Sequence, residues 1–415
     1  MSFDFFKMTS SRPGPPIVIA EVGTAHGGDL NRGLELIDAA ADAGAHIAKV
    51  QVVFAEEILP PEAGLVPLPG GDTPLYEVFK NLEKPVEFYA ALAERAAGRG
   101  IGFLASPFGE KSIRLLEDIG VQAWKVASPE LNFEPMLQRL AATGLPLILS
   151  TGVSRMEDIR RALDVIEGAS PGKAAPGESD IPPAKASPLP ITILHCLTSY
   201  PAPENQANLR VIPALAAAFG YPAGLSDHSL DPVLIPSLAA ALGAVVIEKH
   251  ITLDKQAGGL DDPVALTPGA FAAMTAAVKR FALPAQPSPR DAGSADPPSP
   301  AHLATVIAEL AGEYGRERVE ACLGDGIKGL APAEESSYTR TNRSLHARGA
   351  LKKGTIISEE NTAFLRTEKV LNPGLEPRYR KEAYGRRLNR DIPSGDGITL
   401  EDLQPPGVAG AGQKE

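Results

Sequence analysis

Cysteine is nearly absent from this chain of 415 residues. Its two cysteines, Cys196 and Cys322, can build no disulfide framework and have no metal-ligand spacing, which fits a reducing compartment. Basic charge is short as well: 40 Lys and Arg stand against 51 Asp and Glu, a formal charge of -11. Phosphate backbones are held by clustered Lys and Arg, so a general nucleic-acid-binding role is excluded. An anionic small substrate is not, because a local basic pocket can sit in an acidic protein. No apolar run approaches a membrane span, and the opening MSFDFFKMTSSRPGPP lacks a basic segment followed by an apolar core. A cytoplasmic protein with no membrane partner is expected. Histidine is scarce too, seven in all. Two of them, His228 and His250, close two successive strand-like segments in GLSDHSLDPVLIPSLAAALGAVVIEKHIT.

What the chain has in plenty is apolar sequence, 44% of its residues, enough for a large core. Short apolar runs at 17–23, 46–51, 102–108, 123–128, 145–152, 191–197, 221–228 and 244–252 alternate with amphipathic segments of helical spacing. Eight such repeats predict a parallel α/β fold closed as a (β/α)₈ TIM barrel rather than an open doubly wound sheet. The barrel domain spans 1–282 and carries a Pro-, Gly-, Ala- and Ser-rich insertion at 168–190, expected to be a mobile loop. A linker at 283–336 opens with a second Pro-rich stretch and continues as helix. From 337 to 415 short strands broken by Gly and Pro turns predict a small β-rich domain.

Active sites of such barrels lie at the C-terminal ends of the strands. There the sequence places Glu21, then His26 in the following loop. Lys49 and Gln51 lie two apart on one inward face. Ser106, Lys125, Ser128 and the Ser150–Gly152 turn follow. Next come His195, the Ser226–Asp227–His228 run, and Glu248 with His250. Two lysines with several hydroxyls suit a phosphate and carboxylate cradle. His228 and His250 with Glu21 and Glu248 suit one divalent metal. Blander readings stand beside these. The Ser150–Gly152 turn can serve as a simple helix cap. His195 has apolar neighbours and is as readily structural. His46 starts a strand, on the stability face, while His302 and His346 fall outside the barrel.

The segments IAEVGTAHGGDLNRGLELIDAAADAGAHIAKVQ, LASPFGEKSIRLLEDIGVQAWKVAS, LILSTGVSRMEDI, LHCLTSYPAP, GLSDHSL and GAVVIEKHITLDK resemble the sialic acid synthase family, in order and at the expected separations. That family includes N-acetylneuraminate, legionaminate and pseudaminate synthases. LGDGIKG with RSLHARGALKKGTIISEENTAFLR is similar to its linker and its C-terminal antifreeze-like (SAF, β-clip) domain. The resemblance implies condensation of phosphoenolpyruvate with an N-acetylated hexosamine of the mannosamine type. It implies Mn²⁺, or alternatively Mg²⁺, on His228 and His250. It implies phosphoenolpyruvate on Lys49, Ser106, Lys125, Ser128, Ser150 and Ser226, and sugar on Gln51 and Asp261. Glu21 would lie near the sugar aldehyde and Glu248 beside the metal, either one being the candidate base. It further implies a domain-swapped homodimer in which Arg366 of one copy reaches the sugar's N-acetyl group in the other.

Three departures from the family pattern fall on the sugar side: Ala25 where Asn is usual, the sequence DPVAL after Asp261, and TEKVLNPGLEP after Arg366. They point to a modified or differently substituted hexosamine. Other readings are a seven- or eight-carbon keto-acid synthase on the same barrel, and a sugar-binding homologue without turnover. The first lacks an antifreeze-like tail, and the second would not need both histidines and both lysines.

Overall fold

The computed structural model describes residues 4–6, 14–68, 71–170, 189–283, 300–368 and 370–405. Residues 171–188 and 284–299, inside the two Pro-rich segments, lie outside the described residues. Eight parallel strands form one sheet: β1 (Ile17–Gly23), β2 (Ile47–Gln51), β3 (Gly102–Ser106), β4 (Trp124–Val126), β5 (Leu147–Ser150), β6 (Ile191–Cys196), β7 (Ala223–Asp227) and β8 (Val246–His250). Their hydrogen-bonded order is β3-β2-β1-β8-β7-β6-β5-β4, which brings β3 and β4 side by side and nearly closes the barrel. The (β/α)₈ expectation therefore holds. The strands are buried on both faces, against the lumen and against the helices, which is why they read as short continuous apolar runs. Most helices show one buried face, while Leu234–Ala241 is buried all round. In Leu30–Asp42, capped by Asp29, the buried face is Gly33, Leu36, Ile37 and Ala40. After the eighth strand, helices Pro300–Tyr314 and Arg316–Leu323 pack Val306, Leu310, Val319 and Leu323 into the same core. Among the described residues no helix is long and apolar enough to cross a membrane.

The pleat decides what enters the lumen. Ile19, Ile47, Leu104, Ala123, Ile148, Leu194 and Val246 pack with Phe5 as one apolar layer. Side chains alternate with period two, so the residues two positions on also face inward. These are Glu21, Lys49, Ser106, Lys125, Ser150, Cys196 and Glu248. On β7 the corresponding pair is Gly224 and Ser226. Gly224 has no room for a side chain: a Cβ there would sit 2.3 Å from the Val246 carbonyl oxygen and 2.9 Å from Leu194 Cδ2. An apolar floor thus carries a polar ring at the C-terminal mouth.

The C-terminal module pairs Ser344–Ala347 with Thr362–Leu365 antiparallel and has its own small core of Leu345, Ile357, Phe364, Leu388, Ile392 and Ile398. In the single chain it sits on its own barrel. Arg343 is fully buried at that junction. Its Nε donates to Glu130 Oε1 (3.0 Å) and its Nη2 to the Phe108 carbonyl (2.9 Å), while the Phe133 ring lies 5.3 Å from the guanidinium. Removing one partner of a buried ion pair strands the other. Arg343→Ala should therefore cost about 3 kcal/mol, the low end of the usual range because Arg366 still reaches Glu130. Denaturant unfolding should show the loss, and an unchanged midpoint would mean the pair does not hold the module.

Candidate active site

Most of the residues expected at the mouth do meet there. Lys49 Nζ lies 2.5 Å from Glu21 Oε2, 3.4 Å from Ser106 Oγ and 3.6 Å from Glu248 Oε1. Lys125 Nζ donates to Ser150 Oγ at 2.7 Å and lies 3.6 Å from the same Glu248 oxygen. Ser226 Oγ donates to it as well, at 3.2 Å. Glu248 Oε1 thus sits between two ammonium groups and a hydroxyl, while its buried Oε2 has no hydrogen-bond partner. All of these side chains are buried. Burial opposes the charge on every one, and the balance differs from group to group. Glu248 is held below the usual carboxylate range because Lys125 and Lys49 outweigh its burial. Glu21 is pushed up by burial despite Lys49. Burial, helped by the Lys49 charge, prevails at Lys125, whose ammonium is weakened. At Lys49 the two glutamates prevail, and its affinity for the proton rises.

Beside this cluster lies a second group. Gln51 Nε2 donates to Glu21 Oε1 at 3.0 Å. A Cβ on Gly23 would lie 3.3 Å from Glu21 Oε1, 3.6 Å from Gln51 Nε2 and 3.7 Å from Asp261 Oδ2, so the three polar groups converge on one backbone position. Burial and Glu21 raise Asp261 to about 6. Next to Gly23 a cavity of about 230 Å³ is lined by Thr24, Ala25, Arg32, Asn81 and the Ala257–Leu260 backbone. One of the family departures, Ala25, therefore borders this space, together with the Ala257–Leu260 stretch that precedes Asp261.

The rings of His228 and His250 are 5.6 Å apart between centroids. His228 Nδ1 is bonded to the Leu197 carbonyl at 2.9 Å, which fixes that ring and leaves Nε2 for another partner. His250 Nδ1 is 3.8 Å from Asp261 Oδ2. This donor set, two imidazoles with carboxylates close by and one imidazole anchored through its second nitrogen, fits a divalent cation. Among the described residues no third His, Cys, Asp or Glu completes a ligand cluster. Water and substrate oxygens would have to fill the remaining positions.

Some residues fall elsewhere. His195 has the opposite parity on β6: it points out of the lumen and bonds the Ala207 carbonyl through Nε2 (2.7 Å), a structural role. Asp227 and Lys249, also of outward parity, form a buried ion pair with each other outside the lumen. Ser128 does not touch the lysines. Its Oγ accepts from the Gly152 N–H at 2.9 Å, tying the β4 and β5 loops together. Arg366 bonds Glu130 Oε1 through Nε (3.0 Å) and Nη2 (2.7 Å), with its guanidinium 5.3 Å from the Phe108 ring centre. Its resolved partners do not include Gln51 or Asp261.

Three site residues escaped the sequence reading. Cys196 faces inward, 3.9 Å from His228 Nδ1, where the pairing of parity with the neighbouring strands would have placed it. Tyr200 stacks on His228 with ring centres 4.2 Å apart. Glu130, which gathers Arg343 and Arg366, had no signal beyond its place two residues after Ser128.

Comparison with known proteins decides the family. The model of the NeuB family matches residues 36–285 and that of the SAF domain matches residues 342–404. The chain belongs to the NeuB family. As a NeuB-family member it is 31% identical to the spore coat polysaccharide biosynthesis protein SpsE of Bacillus subtilis over 97% of both chains. It is 30% identical to the N,N'-diacetyllegionaminic acid synthase of Campylobacter jejuni, over 83% of this chain and 88% of that one. The crystal structure of the Bacillus subtilis SpsE protein superposes with a TM-score of 0.71 at 30% identity, covering 95% of this chain and 96% of the other. Other relatives are pseudaminic acid synthases and a human N-acetylneuraminate-9-phosphate synthase. This NeuB-family chain is thus a sugar-acid synthase homologue in which a barrel precedes a SAF domain.

Proposed function

We propose that this protein condenses phosphoenolpyruvate with an N-acetylated hexosamine and water to give a nine-carbon 2-keto acid and phosphate. The observation that carries the reading is the buried ring of Lys49, Lys125, Ser106, Ser150 and Ser226 around Glu248, two cations and three hydroxyls at one barrel mouth. A substrate bearing both phosphate and carboxylate would replace Glu248 as partner of the ammonium groups. Gln51, Asp261 and Glu21, converging at Gly23, would bind the open-chain sugar and orient its aldehyde. Carbon 3 of phosphoenolpyruvate attacks the aldehyde carbon, and carbon 2 becomes electrophilic. Glu248, ionised and with Oε2 free, orients the water that adds there and takes its proton. The tetrahedral carbon then expels phosphate, whose charge Lys49 and Lys125 offset. A divalent cation on His228 and His250, Mn²⁺ or Mg²⁺, would supply Lewis-acid polarisation of the aldehyde oxygen.

The sugar side favours a substituted acceptor. The cavity bordered by Ala25 and Ala257–Leu260 offers room beyond the hexosamine ring, with Arg32 and Asn81 at its wall. A 6-deoxy diacetamido sugar is the acceptor proposed for that space, and the legionaminic acid synthase among the relatives accords with it. The homodimer with exchanged SAF domains extends the reading: Arg343 and Arg366 would make between two copies the contacts with Glu130 that they make here within one.

Phosphate release from phosphoenolpyruvate is the test, with N-acetylmannosamine, its 6-phosphate and a 6-deoxy diacetamido hexosamine supplied in turn, with Mn²⁺ or EDTA. Metal-dependent release, best with the diacetamido sugar and abolished in Glu248→Gln, is expected. Plain N-acetylmannosamine as best substrate would overturn the sugar assignment. No release with any acceptor would overturn the reaction.

A further inference from the structure

The turn that follows Ser150 at the end of β5 is bent in a way its sequence does not favour. Val153 adopts φ +42°. A β-branched residue in the left-handed region is strained, and such a conformation persists only where its surroundings over-determine it. Neighbouring contacts restrict the turn further. Gly152 donates to Ser128 Oγ (2.9 Å), and a Cβ on it would lie 2.0 Å from Thr198 Oγ1.

The group that holds Val153 comes from far along the chain. Glu334, in the segment leading to the SAF domain, is buried, with 1% of its surface exposed. Its Oε1 accepts the Val153 N–H at 2.7 Å and the Thr198 N–H at 2.8 Å. Its Oε2 accepts the Ala331 N–H of its own segment at 3.2 Å. One carboxylate oxygen therefore joins the loops after β5 and β6. The first loop begins directly after Ser150, the last residue of β5. The second bears Leu197, whose carbonyl anchors His228. A carboxylate is costly to bury, and nothing in the proposed chemistry requires this one. Its bonds explain it: one oxygen accepts two backbone N–H groups from separate loops.

We infer that Glu334 is a positioning residue for the phosphoenolpyruvate side of the site, through which the segment carrying the SAF domain sets the shape of the Ser150–Val153 turn. The inference rests on the proposed reaction and adds to it a link between the C-terminal segment and the phosphate cradle. With Glu334 gone, Val153 relaxes toward ordinary backbone angles, and Ser150 and the Gly152 bond to Ser128 shift with it. The sugar-side groups lie elsewhere, Gln51 at the end of β2 and Asp261 in the segment after β8, and stay in place.

The experiment measures turnover and the two Michaelis constants of full-length wild type, Glu334→Ala, Glu334→Asp and Glu334→Gln, with calorimetric titration of phosphoenolpyruvate alone and a thermal melt of each. Loss of a shared acceptor in a buried site predicts a KM for phosphoenolpyruvate about tenfold higher in Glu334→Ala, with the sugar KM unchanged within about twofold. Glu334→Gln keeps the Oε1 acceptor and should return the phosphoenolpyruvate KM to within about threefold of wild type. Should Glu334→Ala fail to fold, Glu334→Asp, whose oxygen falls short of one of the two N–H groups, should show the same selective rise. A lower melting temperature with both KM values unchanged, or equal rises in both, would overturn the inference and leave Glu334 a purely structural tie. Wild-type protein that neither binds nor consumes phosphoenolpyruvate would overturn the reaction itself.

Discussion

Lys125→Met should lower kcat/KM by about three orders of magnitude while leaving the fold intact, a loss of the size seen when a preorganised charge partner is removed from a transition state. Methionine fills nearly the same volume in a site where Lys125 is 2% exposed, so little packing is lost. What disappears is the charge. Lys125 is the ammonium bonded to Ser150, and one of the two that flank Glu248. Without it Glu248 keeps one ammonium neighbour, Lys49, beside the Ser226 hydroxyl and moves toward protonation, because less opposes its burial. Two proposed functions fail together: offset of the departing phosphate, and ionisation of the carboxylate that would take the proton from water. Steady-state kinetics with a coupled phosphate assay would read the first. A single-turnover experiment at saturating phosphoenolpyruvate would separate weaker binding from slower chemistry. Activity within tenfold of wild type would remove Lys125 from the cradle.

His250→Ala should abolish divalent-cation binding and with it turnover, whereas His195→Ala should leave both unchanged to within a few-fold. The contrast uses two histidines near the same mouth with opposite strand parity. His250 faces the lumen beside His228; His195 faces outward onto the Ala207 carbonyl. Because His228 and His250 are the two proposed ligands and no third completes a cluster among the described residues, loss of either should drop affinity by at least about a hundredfold, beyond what loss of a supporting partner causes. Paramagnetic resonance of Mn²⁺ titrated into the protein reads binding without reference to activity. Undiminished Mn²⁺ binding in His250→Ala would move the cation site elsewhere, and EDTA-resistant turnover in wild type would remove the cation from the reaction.

Much of this site could be read in the sequence because a barrel strand is a periodic object. Lys49 and Gln51 differ by two positions and share a face wherever β2 lies. The same spacing joins Glu248 to His250. Eight alternating units leave little choice of fold, and residues at strand ends must then converge. The helices, the apolar floor and the β-rich tail likewise follow from local pattern, because hydrophobic period and turn residues act within a few positions.

Parity was harder. A four- to six-residue strand that is apolar on both faces does not say which alternate set faces the lumen, so His195 and Cys196 were interchangeable by pattern. The pairing of Cys196 with Ser226 in the sheet register decided between them. Long-range ties were harder still. Glu334 reaches Val153 across 181 positions, and Arg366 reaches Glu130 across 236. Both depend on where one folded unit rests on another, which no local spacing encodes.

By itself the sequence determined the alternation of strands and helices, most of the polar residues that gather at the mouth, and the family those motifs belong to, since each depends on period, order and residue type. Only the tertiary structure decided which side of each strand met the lumen, and which distant carboxylates met Val153, Arg343 and Arg366. A buried charge is placed by the partners that surround it in space, and those partners come together only when the chain has folded.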